Sequence, residues 1–152
     1  MRNTITVMNA KGGVGKSTLI LALAETLSAF HGKKILVIDS DAQASISHML
    51  LPQRHANCET PATLEALQEE GQTIVYDLIA TVLKDTPADW RRYVIAGVSD
   101  VDDARTIDLL PSDTNLTLFE REVSKGDRET HLRRTVGACL REAQQTYDYV
   151  FI

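Results

Sequence analysis

Apolar positions along the chain change their spacing, and the changes mark out its elements. Thr4–Asn9 is short, β-branched and alternating, and predicts a strand that ends at a glycine cluster. From Lys16 to about Phe30 the spacing becomes helical, placing Ile20, Leu23, Ala24, Leu27 and Phe30 on one predicted apolar stripe. Gly32 and the two lysines after it are the stop signal: a C′ glycine, with cations near the negative end of the helix dipole. Lys34–Asp39 is then a continuous apolar run, the signature of a strand buried on both faces of a parallel sheet. Strand, glycine turn, helix and strand make a βαβ unit of about 36 residues.

The rest is less regular. Ser45–Leu51 predicts a short helix before Pro52, and residues 52–72 are polar and carry Pro52, Pro61 and Gly71. Thr73–Lys84 reads as a helix with Val75, Leu78, Ile79 and Val82 on one face, whereas Tyr93–Val98 fits either a strand or a helix end. Thr106–Leu110 predicts a strand closed by Pro111-Ser112-Asp113. Arg128–Gln145 predicts a helix on Leu132, Val136, Cys139, Leu140 and Ala143, and Tyr149–Ile152 a last strand. Alternation of strands and helices argues for an α/β domain with helices on both faces of a mostly parallel sheet.

Composition narrows this picture only by exclusion. With 152 residues, 43% hydrophobic and 24% charged, the chain matches one ordinary globular domain, not a disordered, collagenous or disulfide-rich one. Cys58 and Cys139 lack metal-ligand spacing, and His31, His48, His55 and His131 are scattered. No run reaches the ~18 apolar residues of a membrane span, and the N-terminus lacks a signal-peptide stretch, so a cytosolic protein is expected. A formal charge of −5 argues against coating DNA by bulk electrostatics.

Candidate chemistry concentrates in the first turn. Lys11-Gly12-Gly13-Val14-Gly15-Lys16-Ser17-Thr18 follows a predicted strand and opens a predicted helix. Its end matches the phosphate-binding loop G-x-x-x-x-G-K-[ST], with Ala10 at the first glycine position. Successive backbone N–H groups must point inward around phosphates, in conformations that a Cβ obstructs, and the helix offers its positive end to the same anion. A chance occurrence of Lys-Gly-Gly-x-Gly-Lys-[Ser/Thr] in such a chain is roughly 10⁻⁵. Lys16 is placed to reach β- and γ-phosphates, and the Ser17 hydroxyl to ligate Mg²⁺. A second acidic cluster, Asp39-Ser40-Asp41, ends the second strand on the ligand side of a parallel sheet. Such carboxylates hold Mg²⁺ through water or orient an attacking water, and they also fit the caps of a simple turn.

Lys11 lies five residues before Lys16, poorly placed to serve the same nucleotide, and by itself also fits a solvated loop lysine. The loop nonetheless resembles the deviant phosphate-binding loop of the ParA/MinD ATPases. In that family the first lysine contacts phosphates across a dimer that sandwiches two ATPs. Ile38-Asp39-Ser40-Asp41-Ala42-Gln43 is similar to the family's Asp-x-Asp-Pro-Gln motif, with Ala42 replacing the proline. Leu109–Asp113 resembles the family's strand ending in Ile-Pro-Ser, and Tyr147–Ile152 the strand that leads to the Walker B aspartate, which would be residue 153.

The resemblance implies a three-layer P-loop NTPase fold, truncated after the Walker B strand, in one domain over residues 1–152. It implies ATP and Mg²⁺ as cofactors, a loop of Gly12, Gly13, Val14, Gly15, Lys16, Ser17 and Thr18, catalytic roles for Lys11, Lys16 and Asp41, and metal support from Ser17 and Asp39. A strand of the far half being absent, one edge of the first strand is expected to be unpaired. For partners it implies an ATP-dependent homodimer, non-specific DNA, a ParB-like centromere-binding protein and a nucleoid-associated location. The motif after Asp41 favours the partition branch; a MinD-like division-site ATPase and a non-hydrolysing regulatory module are the alternatives. Arg133, Arg134 and Arg141 are expected on the solvated face of the last helix, and the sequon Asn115-Leu116-Thr117 is expected to be unused.

Overall fold

Four parallel strands are ordered β1-β4-β2-β3, with β1 spanning Thr4–Ile5, β2 Ile35–Ile38, β3 Ile107–Leu110 and β4 Tyr149–Phe151. The helices are α1 (Lys16–His31), α2 (Ser45–Leu50), α3 (Val75–Leu83) and α4 (Arg128–Thr146), with a short 3-10 turn at Trp90–Tyr93. The structure, a computed structural model, describes residues 3–8, 13–51, 75–84, 89–117 and 128–152. The polar stretch 52–72 and the first two residues of the helix expected at Thr73–Lys84 therefore lie outside the described residues.

β2, β3 and β4 are buried on both faces, as the apolar run in β2 predicts, and their side chains divide with period two, whereas β1 at the edge leaves Ile5 exposed. Ile35, Val37, Ile107, Leu109 and Phe151 join α1 and α2 in one core. Leu36, Leu110 and Val150 join α3 and α4 in the other. The result is the expected three-layer α/β arrangement. An apolar cavity of about 170 Å³ remains between the sheet and α3, α4 and Trp90.

Gly32 ends α1 as expected. It adopts φ +58, its amide donates to the Ser28 carbonyl, and the Lys33 amide donates to that of Leu27, a Schellman closure. The predicted stripe of α1 is partly wrong, however. Ile20, Ala24 and Ser28 are buried, while Leu23 and Phe30 face solvent, Phe30 at 81% exposure. Ser28 is drawn inward by a 2.6 Å hydrogen bond to Thr106 Oγ1, whose hydroxyl also donates to the Lys33 carbonyl.

Regular pairing in β1 stops sooner than Thr4–Asn9 suggests, although Val7 still donates to the Ile152 carbonyl at 2.9 Å. Among the described residues β1 pairs with β4 only, leaving the expected free edge. At the opposite edge, the undecided Tyr93–Val98 stretch leaves the 3-10 turn and forms an antiparallel bridge, Ile95 to Leu109, alongside β3. Arg133, Arg134 and Arg141 lie on the solvated face of α4, with Arg133 paired to Glu129 at 2.7 Å. Among the described residues no helix is long and apolar enough to cross a membrane.

Candidate functional site

Both chemical segments lie at the carboxyl edge of the parallel sheet, the glycine loop after β1 and the acidic turn after β2, with the end of β4 between them. That edge is where open α/β sheets bind ligands. Lys11 and Gly12 lie outside the described residues.

Gly13 and Gly15 have φ of +72 and +82, values that a residue with a Cβ adopts only under strain. Gly15 is the N-cap of α1 and supplies no side-chain acceptor. The first intrahelical bond runs from Leu19 N to Gly15 O, so the amides of Lys16, Ser17 and Thr18 have no carbonyl to serve inside the helix. Most helices fill this position with Ser, Thr, Asp or Asn. Here the donors stay available to an anion, and Lys16 and Ser17 are half-buried beside them while Gly13, Val14, Gly15 and Thr18 are exposed. Among the described residues the donor set therefore fits a polyphosphate: amides, the Lys16 ammonium and the Ser17 and Thr18 hydroxyls, with no carboxylate in the loop. Among the described residues no cluster of three or more His, Cys, Asp or Glu is built to hold a metal unaided.

In the acidic turn the two aspartates have different environments. Asp39 is only 5% exposed, and both of its oxygens are engaged within the chain. Oδ1 accepts from the Asp41 amide at 3.1 Å; Oδ2 accepts from the Ser47 amide at 2.9 Å and the Ser47 hydroxyl at 2.7 Å. Asp41 is exposed, with Oδ1 accepting from the Gln43 amide at 2.9 Å and its carbonyl accepting from the Ala44 amide. These two bonds close the turn that a proline at position 42 would otherwise stiffen. Ala44 completes it in the left-handed region, at φ +50.

Ser47 escapes the sequence reading, and Ser112 enters it only as the close of a strand. Ser47 is fully buried in α2, and its Oγ also accepts from the Ser112 amide at 3.0 Å, joining the acidic turn to the end of β3. The only available signal is a hydroxyl residue in the first turn of a helix after an acidic strand end.

Residues 2–152 match the family described as AAA domain, AAA_31. The chain is 32% identical over 158 residues to the chromosome-partitioning ATPase Soj of Treponema pallidum, covering all of this chain and 48% of that protein. It belongs to the ParA/MinD type of P-loop ATPase. Among solved structures, a plasmid partition protein from Borrelia burgdorferi superposes with a TM-score of 0.62 at 28% identity, covering 100% of this chain and 55% of that one. Cobyrinic acid a,c-diamide synthase from Mycobacterium smegmatis, solved with bound ADP and magnesium, shares the fold at a TM-score of 0.69 and 22% identity, over 100% and 50% of the two chains. The chain spans about half the length of the curated relatives it matches. Within this ParA/MinD-type chain, the glycine loop and the acidic turn are the segments whose local geometry suits nucleotide chemistry.

Proposed function

We propose that this chain carries the nucleotide site of a ParA-like ATPase, in which Mg-ATP binding and hydrolysis switch a dimer that partitions plasmids or chromosomes. The observation that carries this reading is the pairing of left-handed Gly13 and Gly15 with an uncapped α1, at the sheet edge that also presents Asp41. Partition relatives at 28–32% identity support the biological setting.

On this reading the amides of Gly13 to Thr18 and the Lys16 ammonium bind the phosphates, and they neutralise charge as it shifts during transfer. Ser17 Oγ would hold Mg²⁺, with Asp39 supporting it through water. A Mg²⁺ ion held by these residues would supply Lewis-acid withdrawal of charge from the phosphates. Asp41, solvated and fixed by its turn, would orient the attacking water and accept its proton at the carboxylate. Lys11, the signature lysine of the deviant loop, would complete the site of a partner protomer.

Calorimetry with Mg-ATP tests the base of this reading: uptake at micromolar to millimolar levels is expected, and none at millimolar concentration would end it. Steady-state phosphate release that disappears in Asp41→Ala, with binding retained, is the result expected of a hydrolase and excludes a passive nucleotide-binding module.

A further inference from the structure

Polar groups from three parts of the chain meet beneath the acidic turn, all buried. Ser47 Oγ donates to Asp39 Oδ2 and accepts from the Ser112 amide, while the Ser47 amide donates to the same Asp39 oxygen. Asp39 Oδ1 then grips the amide of Asp41. A hydroxyl has one proton to give, and here it goes to a carboxylate, which gives a stronger, charge-assisted bond. Asp39 thus accepts three hydrogen bonds inside the protein, two of them on Oδ2. Beside this junction the Ser112 hydroxyl is buried with no hydrogen-bond partner among the described residues, so it cannot stand in for Ser47 without rearrangement.

We propose that Ser47 is a positioning residue for Asp41. It locks the Asp39 carboxylate against the end of β3, and Asp39 in turn fixes the Asp41 main chain. Asp39 serves the site as the brace of the acidic turn and not by direct coordination. This deepens the role given to Asp41 above and rests on it. The brace itself exists without nucleotide and is measurable without it.

The test compares the protein with Ser47→Ala and Ser47→Thr. In nucleotide-free samples, amide exchange at Asp41 and Ser112 should accelerate about tenfold or more in Ser47→Ala and return toward the original in Ser47→Thr. With Mg-ATP, kcat should fall about tenfold in Ser47→Ala while nucleotide affinity stays within about twofold, because a misplaced group costs turnover more than binding. Unchanged exchange at Asp41 in Ser47→Ala would overturn the proposal, as would an equal loss of kcat in Ser47→Thr. If the original protein takes up no Mg-ATP, the reading of the nucleotide site fails, while the exchange measurement still decides the brace. Should Trp90 emission show Ser47→Ala unfolded, Asp39→Asn keeps the side-chain shape, replaces one acceptor oxygen with an NH2 donor and should show the same acceleration at Asp41.

Discussion

The Tyr147 hydroxyl donates to Asp108 Oδ2 at 2.7 Å, tying the residue that follows α4 to the buried face of β3. Asp108 Oδ1 accepts from the Gly97 amide at 3.0 Å, so the strap beside β3 is held by the same carboxylate. Removing the phenol oxygen leaves a buried carboxylate one donor short. Tyr147→Phe should therefore lose about 1–3 kcal/mol of stability by denaturant titration at pH 7. Burial and the Asp108 carboxylate hold the phenol protonated far above its usual range. An unfolded tyrosine ionises near pH ~10, so this contribution is complete below that pH and is lost as pH rises beyond it. The gap between the original protein and Tyr147→Phe should accordingly narrow in alkaline buffer.

The two loop lysines should separate binding from assembly. Lys16→Ala is expected to abolish Mg-ATP uptake by calorimetry, since it removes the cation that opens α1 beside its free amides. Lys11→Ala should leave a monomer that binds ATP yet forms no sandwich dimer on gel filtration. A normal ATP-dependent dimer in Lys11→Ala would remove the deviant-loop assignment.

Glu25, on α1, supplies a second pH signature. Burial against α1's surroundings, together with the nearby Asp100 charge, raises its pKa, and the Ser99 hydroxyl opposes this only weakly at 3.5 Å. A carboxyl whose folded pKa is raised stabilises the fold below its unfolded pKa, and that stability is lost as pH rises through the folded value. Glu25→Gln should thus be slightly more stable than the original at pH 7, by less than about 1 kcal/mol for so solvated a group. The advantage should vanish near pH 4 in thermal melts.

Ala44 tests the backbone of the acidic turn. Its left-handed conformation costs about 1–2 kcal/mol for a residue with a Cβ, and its buried methyl repays about 0.8 kcal/mol. Ala44→Gly should fall within about 1 kcal/mol of the original. Ala44→Val, β-branched in a region that resists branching and overpacked against Ile20 and Leu50, should lose more than about 2 kcal/mol.

What the sequence makes legible here is local. The run Ile35–Ile38 and the stop at Gly32 declare themselves because burial on two faces and a positive φ each demand particular residue types within a few positions. The glycine loop is legible for the same reason. The face of α1 is not, because Leu19, Leu21 and Leu23 put apolar side chains around much of the helix, and a serine wins an inward position through Thr106, 78 residues away. Ser47 and Ser112 are 65 residues apart, and nothing near either one announces the other. The acidic turn is intermediate: its aspartates are visible, but which is buried and which solvated follows from packing.

The two flanks of the sheet are finished differently. Beyond β3, Ile95 and Val98 take up main-chain groups of Leu109 and Ile107, so that side is sealed by the chain itself. On β1, Asn3, Ile5 and Val7 address β4, and by alternation Thr4, Thr6 and Met8 aim their peptide groups the other way. Among the described residues, the side open to a further strand is therefore that of β1, beside the segment that launches the glycine loop.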